Sequence, residues 1–293
     1  IDNYSRNINQ IEKFNNSLIK NDNYLNYDLT KSISDRKFSD DYTHIIHFAA
    51  ILGVENVSEN PFDVLSLNTK MTFKAIQIAK KQKNLKQFIY ASTSEVYAGT
   101  LEHGELKIPT LETSKIILPD LSKPRTSYML SKIYGEALCQ FAKIPFTVIR
   151  PHNIYGPQMG LRHVVPQLLK KVYFDEEGEI EVFSPNHTRT FCYITDATKM
   201  ILKLMKNKDA IGKVVNLGNE KPEIKIKELA HIIIKTVGKN VRIKEMSDTE
   251  GSPLRRAPKM TQCFKLTNYK GMINIEEGVK KCFDWYKKFI FDQ

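Results

Sequence analysis

A chain of 293 residues that is 41% hydrophobic can bury a sizeable core, which excludes global disorder. Its formal net charge of +11 fits nucleic acid or a small anionic substrate. It fits a compositional bias equally, because the lysines are spread over many helices without a basic block. No apolar run approaches the roughly 20 residues of a membrane span, and no basic-then-apolar leader is read at the start. Cys139, Cys192, Cys263 and Cys282 are too scattered for a zinc site or a disulfide framework. The seven histidines form no His-x-x-x-His or His-x-His pair, so no metal is expected. A cytoplasmic setting follows as the expectation.

Taken in order, Ile1-Asp2-Asn3 resembles the tail of a strand ending in an acid. A helix is predicted over 7–20, with Ile8, Ile11, Phe14 and Leu18 on one face. Tyr24 to Leu29 is strand-like, and residues 32–41 are polar. Thr43 to Ala50 is a compact apolar run ending in small residues, the pattern of a buried parallel strand. Asn60-Pro61 breaks the chain before a long helix from Phe62 to Gln82. Gln87 to Ser92 is a second buried strand, followed by a polar loop carrying Gly99, Gly104, Pro109, Pro119 and Pro124. A helix through Tyr128 is predicted to run to about Ala142, and Phe146 to Arg150 is another strand. Further on come a helix over 163–172, a strand over 180–183 and an extended piece over 189–194. A helix over 196–205, a strand over 214–218 and helices over 226–237 and 275–289 complete the pattern.

Strand and helix alternate in the first half, which implies a parallel sheet with helices on both faces. Ligands of such sheets sit beyond the carboxyl ends of the strands. Asp2, Asp28, Ala49-Ala50, Ser92-Thr93 and Arg150-Pro151 all fall at such ends.

Tyr128 and Lys132 are four residues apart, on one face of a helix. A nearby ammonium favours the phenolate, and a tyrosine so tuned can take a proton from a sugar hydroxyl. Taken alone the pattern is weak, equally one aromatic and one solvated charge on an amphipathic helix.

With the segment STSEVY over 92–97, HFAA over 47–50, SYMLSK over 127–132, RPHNIYGP over 150–157, NLGN over 216–219 and EEGVKKCFDWY over 276–286, the whole chain resembles the extended short-chain dehydrogenase/reductases. More narrowly it resembles their NAD-dependent nucleotide-sugar epimerase, dehydratase and decarboxylase branch. That family opens with a strand and a Gly-x-x-Gly-x-x-Gly loop. Neither is found in this sequence, whose first residues match the end of the family's second strand. About thirty family residues are therefore expected upstream of it, by the same resemblance.

The resemblance implies a Rossmann-like doubly wound parallel α/β sheet, its first βαβ unit missing, with a smaller carboxyl-terminal α/β substrate domain. The cofactor domain would span 1–155 and also receive about 190–218. The nucleotide-sugar domain would span 156–189 and 219–293. Thr93, Tyr128 and Lys132 would form the catalytic set, with Glu95 as a carboxylate for elimination chemistry or as a local ion-pair partner. NAD would be bound by Asp2, Asp28, Leu29, Ala49, Ala50, Ser92, Tyr128 and Lys132, with Asn68 bracing the neighbouring loop. A nucleotide-diphosphate sugar would be held by Ser94, Asn153, His163, Val164, Arg189 and Arg256, Arg255 being the alternative to Arg256. His152 would face the sugar or pack in its loop.

Transient C4 oxidation would then lead to epimerisation, dehydration or decarboxylation. A homodimer through helices 62–82 and 127–142 is implied, with no membrane and no nucleic acid as partner. The alternative is a non-catalytic binding protein on the same fold, contacting RNA.

Overall fold

The computed structural model describes residues 27–31, 38–249 and 251–293. Asp2, the helix over 7–20 and the first half of the strand over 24–29 lie outside the described residues. Tyr27 to Lys31 is a turn, where the sequence suggested the end of a strand. Asp28 Oδ1 accepts from the Thr30 amide at 2.8 Å and from the Thr30 hydroxyl at 2.7 Å, the way an aspartate mimics a backbone turn.

The first half of the described chain holds strand β1 (His44–His47), helices α1 (Val54–Glu59) and α2 (Pro61–Lys80), β2 (Gln87–Ala91), α3 (Ala98–Glu102), α4 (Pro124–Phe141) and β3 (Phe146–Pro151). The second half continues with β4 (Ile154–Tyr155), α5 (Val164–Phe174), β5 (Glu179–Val182), β6 (Thr188–Thr190), β7 (Cys192–Tyr193), α6 (Ile194–Lys206) and β8 (Lys213–Leu217). It closes with β9 (Glu223–Lys225), α7 (Ile226–Val237), β10 (Arg242–Glu245), β11 (Arg255–Arg256), α8 (Thr261–Thr267) and α9 (Ile275–Tyr286). These divide into two compact units. The first takes the chain up to Glu102 with Ile116–Ile149 and Ala210–Val214, the second His103–Lys115, Arg150–Asp209 and Val215–Gln293.

The main sheet has the order β1-β2-β3-β8. β1 pairs parallel with β2, from His44 opposite Gln87 to His47 opposite Tyr90, and β2 pairs parallel with β3. Four of the five β2 residues are buried, as expected of a parallel strand covered on both faces. α2 and α4 each begin at a proline, whose missing N–H costs nothing in a helix's first turn. The two helices pack against each other. Val64, Met71, Ala75, Ile78 and Ala79 form the buried face of α2.

The loop predicted after β2 is in fact a 3₁₀ turn over Ser94–Tyr97 running into α3. Gly99 misleads the sequence reading there. It is a packing glycine, since a Cβ on it would lie 1.9 Å from the Ile117 carbonyl oxygen.

In the second unit, Leu168, Leu169 and Val172 of α5, Leu229 and Ile233 of α7, and Val279, Cys282 and Tyr286 of α9 belong to one apolar cluster. Asp196 is fully buried and accepts from the Tyr269 hydroxyl at 2.6 Å and the Met272 and Ile273 amides at 2.9 Å. The helix expected to reach Phe289 stops at Tyr286 and widens into a π-helical turn over Lys287–Phe291.

Candidate active site

Within the first unit, α4 lies against the carboxyl end of β2 and grips two successive residues there. Lys132 Nζ donates to the Ala91 carbonyl at 2.8 Å, and the Ser92 hydroxyl donates to Glu136 one turn further along α4. Lys132, Ser92 and Glu136 are all buried. The Lys132 ammonium lies 5.7 Å from the Tyr128 ring centroid and 5.3 Å from that of Tyr90. Burial penalises its charge and lowers its pKa to about 8. His47 at the end of β1 stacks on Tyr90 at 5.9 Å. Burial, and then the nearby Lys132 charge, push His47 down to about 3, so it is neutral at physiological pH.

Thr93 follows directly, half-buried, and its hydroxyl accepts from the Glu95 amide at 3.2 Å. Ser94 is buried. The Glu95 carboxylate accepts from Arg125 Nη2 at 2.9 Å and Nε at 3.2 Å. Arg125 stands three residues before Tyr128 in the first turn of α4, on the same face. Sequence reading missed both Arg125 and Glu136. The signal for each was its helical spacing from Tyr128 or Lys132, and its meaning depended on what lies across from it.

Asn68 of α2 clamps the loop after β1 at both ends of one peptide residue. Its Oδ1 accepts from the Ile51 amide at 2.7 Å, and its Nδ2 donates to the Ile51 carbonyl at 2.9 Å. Just before this loop residue, Ala49 is exposed and Ala50 half-buried. Leu29 is buried with Met71 and Ile78.

Within the second unit, Arg189 of β6 and Arg256 of β11 are register partners in a parallel pair, so both side chains leave the sheet on one face. Arg189 is buried and donates to the Thr188 carbonyl at 2.7 Å and the Ser252 hydroxyl at 2.9 Å. Arg255 points to the opposite face, where both its Nε and Nη2 bond Glu223, at 2.9 and 2.8 Å. That engagement separates the two neighbouring arginines and leaves Arg256 as the companion of Arg189.

Asn153 holds a positive φ of 43° and donates to the Thr190 carbonyl at 2.9 Å. His163 is the exposed residue before α5, and Val164 begins that helix, half-buried. His152 is buried, with Nε2 3.2 Å from Asn216 Oδ1, so it packs within its own unit.

The residues at the β2 end suit a nicotinamide dinucleotide. A lysine ammonium has three protons, and the Ala91 carbonyl takes one at this buried site, which leaves donors suited to ribose hydroxyls.

A parallel sheet with a hydroxyl, a tyrosine and a buried lysine at one strand end places the chain among Rossmann-like α/β proteins. The family model described as "NAD dependent epimerase/dehydratase family" matches residues 3–218. A UDP-N-acetyl-alpha-D-glucosaminuronate decarboxylase of Bacillus cytotoxicus is 28% identical over 83% of this chain and 76% of its own. A UDP-glucuronate 4-epimerase of Thermodesulfobacterium geofontis is 27% identical over 94% and 83%. Among solved structures, UDP-glucuronic acid 4-epimerase from Bacillus cereus, in complex with UDP-glucuronic acid and NAD, superposes with a TM-score of 0.75. It is 24% identical over 96% of this chain and 87% of that one. The chain belongs to the NAD-dependent epimerase/dehydratase family.

Proposed function

We propose that this protein transforms a nucleotide-diphosphate sugar through transient oxidation of a sugar hydroxyl, at C4. The observation that carries this reading is the Lys132 ammonium, buried on the Ala91 carbonyl and 5.7 Å from the Tyr128 ring. An ammonium so placed favours the Tyr128 phenolate, which takes the hydroxyl proton. Thr93 orients the same oxygen. NAD held at this strand end would supply the hydride acceptor and, on the return step, the donor, so no second substrate would be consumed. Lys132, Ser92, Asp28 and the small residues Ala49 and Ala50 are the described residues proposed to hold it.

Glu95, two residues after Thr93, supports elimination or decarboxylation over plain epimerisation. Its ion pair with Arg125 sets the direction of its carboxyl group. Arg189 and Arg256 supply the planar, always-charged forks suited to a diphosphate. Asn153, His163, Val164 and Ser94 are proposed to contact the rest of the nucleotide sugar.

The curated relatives above are named for UDP-linked uronic acids, so these head the substrate panel. A dimer through α2 and α4 is supported by exposed aromatics on both helices, Phe62 and Phe73 on one and Tyr134 and Phe141 on the other. A cytoplasmic site is supported by four buried, unbridged cysteines. Among the described residues, no helix is long and apolar enough to cross a membrane.

The test is incubation with NAD and UDP-, GDP-, CDP- and dTDP-sugars, with products read by mass spectrometry. Loss of water indicates dehydration, and loss of carbon dioxide indicates decarboxylation. An unchanged mass with a new isomer by NMR would remove the eliminating role of Glu95. No turnover and no bound NAD would overturn the catalytic reading in favour of a non-catalytic binding protein.

A further inference from the structure

His187 lies outside every role assigned so far, yet it is buried two residues before Arg189 on the approach to β6. Its Nδ1 is 3.2 Å from the Ser252 hydroxyl, and its Nε2 is 3.2 Å from Asp248 Oδ2. Ser252 Oγ in turn accepts from Arg189 Nη2 at 2.9 Å. One tautomer satisfies all three links. Arg189 donates to Ser252, the Ser252 hydroxyl donates to Nδ1, and the Nε2 proton points at the Asp248 carboxylate. The chain then runs from a guanidinium to a carboxylate with every dipole aligned, an arrangement in which each bond strengthens the next.

The backbone laces the same segment down. The Thr249 amide donates to the Ser184 hydroxyl at 2.9 Å, and the Thr188 amide donates to the Leu254 carbonyl at 2.8 Å. Ser252 and Asp248 sit on the connection between β10 and β11, and β11 carries Arg256. The tether therefore reaches both arginines of the proposed diphosphate clamp.

We propose that His187 is a positioning residue that fixes Arg189 for a nucleoside diphosphate through Ser252, with Asp248 anchoring the relay. This rests on the reading of Arg189 and Arg256 as diphosphate ligands. An arginine held at one Nη by a fixed hydroxyl presents its fork in one orientation, so less order is lost when phosphate binds. His187 and Ser252 bond Arg189 and Asp248 and are not among the residues proposed to act on the sugar, so the effect is expected on binding, with the chemical step intact.

The experiment uses the full chain with UDP, GDP and inorganic pyrophosphate as probes, by calorimetry. Hydrogen exchange around Thr249 and Ser252 is followed in parallel without ligand. H187F keeps an aromatic ring and removes both hydrogen bonds. It is expected to raise exchange there and to weaken UDP about tenfold, the scale of one charged hydrogen bond. S252A should do the same, and the double variant should be no worse than either single one, because the two belong to one relay. H187Q, which keeps one donor and one acceptor, should recover part of the loss. In turnover, KM should rise while kcat holds.

Unchanged exchange and binding in H187F would overturn the proposal. So would additive losses in the double variant, or an equal loss of uridine, which has no phosphate. If R189A weakens UDP and H187F does not, the clamp stands and the relay falls. If R189A binds UDP like the wild type, both fall.

Discussion

Tyr128 and Lys132, proposed to act together across 5.7 Å, each make a separate prediction. Y128F removes the acidic hydroxyl from a half-buried ring without opening the core. Turnover should fall about 10²- to 10⁴-fold, the range for positioned acid–base groups, with melting unchanged. Lys132 carries its charge below about 8 and loses it above. Turnover should therefore decline as pH rises through about 8, and K132R should move that decline upward, because a guanidinium stays protonated. Stability has the opposite sign. The buried ammonium costs folding energy below about 8, and the cost is relieved as pH rises toward 10.5, where the unfolded chain still holds the proton. Tyr128 and Lys132 were readable as a one-turn helical pair, and Thr93 was proposed with them through the family resemblance, because such patterns survive in one dimension. Arg125 and Glu136 were not, since a charged residue on a helix reads as solvated until its partner on another segment is seen.

Among the elements, the contact of α4 with β2 sets the geometry of the site. Gly135 is what allows the helix to approach. A Cβ there would lie 2.0 Å from Tyr90 Oη and 2.3 Å from the ring carbon bearing it. G135A should cost about 1–3 kcal/mol, measured by denaturant melting, and should lower turnover by displacing Lys132 from Ala91. The long helices and central strands were readable from period and apolar runs. The short strands β9, β10 and β11 and helix α8 were not. Arg242–Glu245 and Arg255–Arg256 carry no apolar alternation, and they are strands because β5 and β6 offer them edges to pair with.

For the molecule as a whole, acid stability should respond to His47. It stays neutral in the folded protein down to about 3, whereas the unfolded chain protonates it near 6.5. Its contribution is complete above 6.5 and is lost as pH falls from 6.5 toward about 3. H47L should flatten the pH dependence of Tm across that window, while wild type loses stability through it. Assembly is the second prediction at this scale. F62D with F141D should convert the proposed dimer to monomer in sedimentation velocity while leaving Tm near that of the wild type, and a wild type that already sediments as a monomer would overturn the proposal. Both rings are largely exposed, at 79% and 81%, so the core does not depend on them.

The sequence by itself determined the parallel α/β plan, because period and strand-end composition are local properties of the chain, and its resemblance to the family is what proposes the Tyr128, Lys132 and Thr93 set. Only the tertiary structure decided which charges work together. It tied Glu95 to Arg125 and Ser92 to Glu136, and it turned Arg255 away to Glu223, setting Arg256 beside Arg189. Those pairings join residues from 30 to 67 positions apart, and hydrogen bonds of that reach are fixed by strand register and helix docking.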